Sequence, residues 1–469
     1  MMVFSPWAFG TSQPWSIWTM NALGYLMGAL LAAKLWLRGV RGFRPGRWDR
    51  IEDRVPPALN WITGTLAAVT VLVLVYCAIA ALNARATYRP DDYSFIYHDC
   101  IRWLPHSYDR GRTWLAFANY LALAFSFWAA RDWLLGKTSD EERDERVASL
   151  LDGGRVPFPA RLRALLWLLS LNGGLIAIEG IIQRLEGSGN LLFLVKPTVN
   201  PGAEAQFGPF AYRANASQYL NLLWPVALGF WWSLRRLRKS GRGRSWWMRN
   251  RHHTLLVSAI LMAAAPIIST SRGGALVSIG GLAIATMILV LSFGETEGHL
   301  KLAVLGLFAA ALALGLYLGW GALAGRMADI GEGYAGREEM YKTADRVAQD
   351  HPVFGTGPGT LRYVFKVYRR SDTEYWPAQL HNDWLETRSD FGWVGFSMIL
   401  LALMLVLARW FVPGGIGLGR RFVLLTWLAL AGCLLHARWD FPFQMYSITF
   451  VFLMLCAILT TLGRRKADD

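Results

Sequence analysis

The chain is a succession of apolar blocks, each about twenty residues long, separated by polar connectors. A helix of that length crosses the roughly 30 Å hydrocarbon core of a bilayer. Within lipid every backbone N–H and C=O must be satisfied by the segment itself. The two constraints together leave a bundle of transmembrane helices. Only 17% of the 469 residues are charged while 54% are hydrophobic, against about a quarter charged in an ordinary soluble chain. The expected fold class is therefore all-α, a polytopic membrane protein. The blocks fall at 15–37, 58–82, 113–134, 163–183, 216–234, 254–271, 275–293, 302–323, 391–412, 422–436 and 445–462, which predicts about eleven spans.

The formal net charge of +15 raises the question of nucleic acid, but its distribution points to lipid. The run Arg235–Arg251 carries eight basic residues and no acid, and it lies between two apolar blocks. Basic residues in such connectors mark the cytoplasmic side and meet anionic lipid. No nucleic-acid recognition motif accompanies them, so the expected partners are membrane lipids and not nucleic acid. Arg-rich connectors at 38–57, 135–162, 235–253, 413–421 and 463–469 alternate with less basic ones at 83–112, 184–215, 324–390 and 437–444. That alternation puts the second set outside, the N-terminus outside and the C-terminus in the cytoplasm. The first basic residue is Lys34, so the first block lacks the basic flank of a cleavable signal and is expected to persist as a helix. Cys77, Cys433 and Cys456 lie inside apolar blocks and only Cys100 in a connector, which excludes a disulfide framework.

One multi-span domain, 1–469, is expected, with connector 324–390 as a large periplasmic loop inserted between spans. Connectors of that length are usually functional. Within it Met340, Tyr341, Ala344, Val347 and Ala348 recur at helical spacing, predicting a helix over Arg337–Asp350 that Pro352 ends. A second short helix, about Asn382–Ser389, is expected to lead through Gly392 into the next span.

Three residues on the outer connectors could carry chemistry. Arg272 interrupts an otherwise apolar stretch, and a charge at the edge of a bilayer tends to face protein or a polar pocket. Its planar guanidinium suits phosphate oxygens held bidentately, whereas the plainer reading is a helix end snorkelling to headgroups. Arg213, just before a span and behind Gly208-Pro209-Phe210, has the same two readings, anion clamp or interfacial anchor. His381 stands at the start of a helix, and neutral imidazole can accept a proton from a hydroxyl near neutral pH; the bland alternative is a surface histidine. His351-Pro352 reads as a helix stop. Gly355-Thr356-Gly357-Pro358-Gly359 lacks the Lys-Ser/Thr of a P-loop. His98, Cys100 and His106 match no zinc spacing.

At these residues the chain resembles the O-antigen ligase and polymerase superfamily of bacterial inner-membrane glycan enzymes, over roughly residues 205–400. Gly208, Phe210, Arg213, Tyr219 and Leu220 fit a motif before a span, with Tyr212 and Ala214 where asparagines are usual. Ser271-Arg272-Gly273-Gly274 is similar to the second arginine motif. Arg337 with Tyr341, Asp350-His351-Pro352, and Gly355, Gly357 and Gly359 resemble the helix and glycine-rich exit of the large loop. His381-Asn382, Leu385, Asp390, Gly392 and Gly395 follow the His-Asn motif, with Asp390 where Glu is common. Many relatives have twelve helices, so the resemblance implies eleven or twelve here.

The resemblance further implies an inverting, metal-independent glycosyltransferase without a cofactor, its site on the periplasmic face of the inner membrane. The donor would be a glycan on undecaprenyl pyrophosphate, the acceptor lipid A core or another glycan. His381 would be the base, Arg213, Arg272 and Arg337 would hold the pyrophosphate, and Asn382 and Asp390 would support them. A polymerase extending lipid-linked repeats is the alternative within the family. A lipid-linked glycan transporter is the more distant one, and the inverted repeats and broken midplane helices common in transporters are not evident.

Overall fold

The computed structural model describes the chain except residues 43–44, 51–53, 151–157, 238–250, 292–297, 329, 371–378 and 464–469. Most of the run Arg235–Arg251 thus lies outside the described residues. Each of the eleven apolar blocks is a helix: α1 Pro14–Arg41, α2 Pro57–Leu82, α3 Arg110–Leu135, α4 Ala160–Glu186, α5 Arg213–Leu237, α6 Thr254–Ile268, α7 Arg272–Val290 and α8 Gly298–Ala328, then, after the large loop, Asp383–Ala408, Arg420–His436 and Tyr446–Thr461. That loop holds two further helices, α9 Ile330–Asp350 and α10 Leu361–Tyr368, so the last three are α11, α12 and α13. Seven of the described helices, α1–α4, α7, α8 and α11, are long and apolar enough to cross a membrane. This is a multi-pass membrane protein.

The remaining four, α5, α6, α12 and α13, are shorter or more polar, and burial explains why they can be. Every residue of α5 from Ala214 to Ser233 is buried, packed against α6, α7 and α12. A helix shielded from lipid can carry polar groups provided they find partners inside. Ser217 Oγ meets Ser269 Oγ at 2.8 Å and Asn221 Nδ2 donates to Gly274 O at 3.0 Å. At Gly274 a Cβ would collide with Ser217, so Gly274 is what lets α7 approach α5 this closely.

Among the described residues, parts of the two sets of connectors gather at opposite ends of the bundle. At one end Asp132 of α3 gathers Lys34 at 2.7 Å, Arg38 at 2.9 Å and Arg47 at 2.7 Å. There Trp48 N donates to Leu135 O and Gly415 N to Trp48 O. The less basic connectors meet at the other end, where two of them build a small extramembrane cap. Its core is Tyr108, Ala344, Val347, Leu361, Val364, Phe365 and Leu380; a fully buried Val, Leu or Phe contributes roughly 1.5–3 kcal/mol.

The all-α expectation holds for nearly all the described residues, with one small exception. Within 83–112 a two-stranded antiparallel hairpin forms, β1 Ala86–Arg89 and β2 Ser94–Tyr97, with Thr87 opposite Ile96 and Tyr88 opposite Phe95. β-branched and aromatic side chains suit such pairing. Stacking of Tyr88 on Tyr363 of α10, centroids 4.2 Å apart, supplies the third layer that an isolated hairpin lacks. The loop helix starts earlier than its apolar periodicity indicates, at Ile330, and ends before Pro352 as expected. The short helix at Asp383 continues into the span as α11, broken only in its backbone angles at Gly392 (φ 59°, ψ −172°).

Candidate active site

His381 sits immediately before α11 with a left-handed backbone, φ 57°, a conformation that costs a non-glycine residue energy. Two contacts hold it there. Tyr341 of α9 donates its hydroxyl to His381 O at 2.8 Å, and Asn382 caps α11 by accepting from Leu385 N at 3.2 Å. Asn382 is therefore a helix cap, and its support of His381 is to fix where the helix begins.

The imidazole is oriented by a residue the sequence did not single out. Nδ1 of His381 lies 3.0 Å from Oδ1 of Asp440, in the α12–α13 connector. Asp440 is 4% exposed; its Oδ1 also accepts from Phe441 N at 3.1 Å. A carboxylate in that place requires the proton on Nδ1 and leaves Nε2 as the acceptor. The ring packs edge-on to Phe441 (4.8 Å) and Tyr212 (6.2 Å), which stack on each other at 5.5 Å. Burial and the neighbouring Asp440 charge raise the Tyr212 phenol above its ordinary value, against the opposing charges of Arg337, Arg213 and Arg326, so it stays neutral. On the far side of Asp440, His436 Nε2 is 3.9 Å from Oδ2. A Cβ at Gly273 would come within 2.7 Å of that same nitrogen, so the glycine after Arg272 makes room for His436.

The arginines converge beside this dyad. Arg213 and Arg272 open α5 and α7, where unpaired N–H groups and the helix dipole favour an anion. Arg213 Nη1 donates to Glu204 O and Arg272 Nη1 to Arg326 O at 3.2 Å. Two more guanidiniums, unanticipated from sequence, join them from the last turns of α4 and α8. Arg184 donates to Gln206 O (2.9 Å) and Ser269 O (3.1 Å), and Arg326 donates to Thr270 O at 2.7 Å. Arg337 of α9 donates to Trp439 O at 2.7 Å, one residue from Asp440. Among the described residues none of Arg184, Arg213, Arg326 and Arg337 has a carboxylate within ion-pair distance; they hold to backbone carbonyls. Among the described residues, the four guanidiniums held to backbone carbonyls, with Arg272 beside them, form an anion-seeking surface. Their signal in the sequence was weak, since a basic residue ending an apolar helix is commonplace.

Asp390 lies elsewhere. Its carboxylate accepts from Gly359 N and Leu361 N, both at 2.8 Å. Gly355, Gly357 and Gly359 all have positive φ and wrap the loop around it. The glycine-rich segment that is not a P-loop thus cradles the protein's own carboxylate, and Asp390 anchors the cap to α11. His351, the expected helix stop, is half-buried with Nε2 3.3 Å from Tyr108 Oη and 3.4 Å from Tyr368 Oη.

A histidine paired with a buried carboxylate thus lies beside clustered arginines at one end of the bundle. Residues 257–400, from α6 through the cap into α11, match the O-antigen ligase family. That segment is similar to the O-antigen ligase family. No curated protein matches the chain. The O-antigen ligase match spans Arg272, Arg326, Arg337 and His381 but not Arg184, Arg213 or Asp440, which the fold brings in from outside it. The match supports a membrane protein of ligase- or polymerase-type glycan processing.

Proposed function

We propose that the protein is an inverting glycosyltransferase of the O-antigen ligase type. It takes a glycan from undecaprenyl pyrophosphate and joins it to an acceptor hydroxyl on the periplasmic face of the inner membrane. The observation that carries this reading is the His381–Asp440 pair set beside the five arginines. Asp440 holds the Nδ1 proton, so His381 Nε2 accepts the proton of the acceptor hydroxyl as its oxygen attacks the anomeric carbon. The C–O bond to the pyrophosphate breaks as the new glycosidic bond forms, with inversion. Charge growing on the departing pyrophosphate is met by guanidiniums already in place, the kind of preorganised stabilisation that is worth most in a site shielded from water. Arginine forks can supply the charge that a divalent ion supplies elsewhere, so transfer should proceed without metal or nucleotide.

The test is transfer by purified protein from a synthetic polyprenyl-pyrophosphate glycan in excess chelator. Activity that disappears and returns with magnesium or manganese would remove the arginine-based mechanism. The product separates the two family activities: labelled lipid A core supports a ligase, and ladders on the lipid carrier a polymerase.

A further inference from the structure

The connector between α4 and α5 carries an apolar finger that stands exposed. Leu191 and Val195 form an antiparallel bridge, with Leu191 N donating to Val195 O at 2.8 Å and Val195 N to Leu191 O at 3.0 Å. The chain turns between them through Leu192, Phe193 and Leu194. Leu192 and Phe193 both have left-handed backbones, φ 52° and 61°, a conformation that tight turns normally give to Asn or Gly. Bulky side chains in that region carry a steric cost, and here the result is to turn apolar groups outward. Leu194 is 82% exposed, and Phe193, Val195 and Val199 are exposed with it.

Polar contacts fix how high the finger stands. Gln183, in the last turn of α4, donates its amide to Asn190 O at 3.0 Å and accepts from Gly208 N at 2.7 Å. Gln206 donates to Gly189 O at 3.1 Å and to Asn200 O at 2.9 Å. The base of the finger is therefore tied to the end of α4, through the same residue that holds the turn before Arg213. With 27 residues, α4 is about 40 Å long at about 1.5 Å per residue. The hydrocarbon core is about 30 Å thick, and about 40–45 Å with the headgroups included. The last turn of α4 lies at headgroup depth, and the base of the finger with it.

The lipid-facing surface of α4 reaches the same level. Leu168, Leu171, Leu175, Ile178, Ile182 and Leu185 are all exposed, and their spacing puts them on one face of the helix. That stripe needs hydrocarbon against it as far up as Leu185. A cluster of exposed apolar side chains beginning where the stripe ends is unfavourable in water, and the medium that covers the stripe would cover the cluster too.

We propose that the tip Phe193-Leu194-Val195 inserts into the boundary between headgroups and acyl chains in the leaflet on the His381 side, so that its partner is the lipid surface itself. Insertion to that depth is what a short apolar surface rimmed by basic residues achieves. Lys196 follows the tip and is exposed, and its stem is long enough to carry the ammonium to phosphate oxygens. The finger pins to the membrane the connector whose carbonyls, on Gln206 and Glu204, hold Arg184 and Arg213. The contact does not depend on the transfer reaction assigned to His381.

Of the four cysteines Cys100 is the one that is not buried, so Cys100→Ser gives a full-length background for single nitroxide labels. In vesicles of phosphatidylethanolamine and phosphatidylglycerol, a label at Leu194→Cys should collide more with oxygen than with a water-soluble nickel chelate. A label at Asp91→Cys, on the exposed turn between β1 and β2, should show the reverse. Adding Phe193→Asn and Val195→Asn should abolish the oxygen preference at position 194; asparagine tolerates a left-handed backbone, so the turn itself survives. Nickel access at position 194 equal to that at position 91 would overturn the proposal. A label shielded from both reagents would do so as well, because it would put the tip beneath protein. So would an oxygen preference unchanged by the two asparagines.

Discussion

Asp440 reaches His381 across 59 residues of chain and places a carboxylate oxygen 3.0 Å from the imidazole Nδ1. The pairing decides the tautomer, and with it which nitrogen is left to take a proton. Asp440→Asn keeps the volume but offers an amide that can donate to Nδ1 and invert the tautomer. Transfer should fall by about 10²–10⁴-fold with normal membrane levels and little change in unfolding temperature. Near-parental turnover in single-turnover assays would show that Asp440 does not orient the base.

Arg184 and Arg326 should matter as much for donor binding as Arg213 and Arg272. Replacing either by Gln removes a charged hydrogen-bond donor worth about 1.5–3 kcal/mol, so donor affinity should weaken roughly 10- to 100-fold. Lys should rescue little where a fork is needed. The measurement is the KM for donor set beside the KM for acceptor; if only the acceptor value moves, these arginines do not hold the pyrophosphate.

Asp390→Ala should damage the cap and not the chemistry directly. It strips the acceptors from Gly359 N and Leu361 N, and each buried donor left unpaired costs about 1–3 kcal/mol. Faster proteolytic cleavage within 83–109 and 330–381 is expected, with Asp390→Asn intermediate. Unaltered cleavage would mean the loop is held by its other contacts.

The cap should also loosen in acid. Burial pushes the His351 imidazole down to about 4, and the positive Arg85, with His106 when protonated, adds to the effect while Asp350 opposes it. Between that value and the ordinary one near 6.5, the unfolded chain binds a proton that the folded chain does not. His351's contribution is then present above the ordinary value and lost as pH falls towards 4. Proteolysis of the cap at pH 5 relative to pH 7 should rise in the parent and rise less in His351→Gln. An identical pH response in the two proteins would assign the acid sensitivity to other groups.

Reading the helices from sequence succeeded because each apolar block must satisfy its own backbone in lipid. Hydropathy and length therefore carry the information locally, and eleven expected blocks are eleven helices. The hairpin at Ala86–Tyr97 escaped because each strand is four residues long and is stabilised by Tyr363 and the rest of the cap core from beyond residue 330. The arginine pair was half legible: Arg213 and Arg272 stand out at helix starts, while Arg184 and Arg326 look like ordinary basic helix ends. Asp390 was visible as a motif position, yet its role as the anchor of a glycine-rich loop depends on a fold that returns the loop to α11.

Sequence alone determined that the chain crosses a membrane many times, where its helices lie, and which histidine and arginines merit attention. These are properties of short segments, set by backbone solvation in hydrocarbon and by the cost of placing charge near it. Only the tertiary structure decided that Asp440 orients His381, that Arg184 and Arg326 complete the cluster, and that Gly273 yields space to His436. Those are contacts between segments up to 163 residues apart, and no local rule of solvation or spacing encodes which helices will pack side by side.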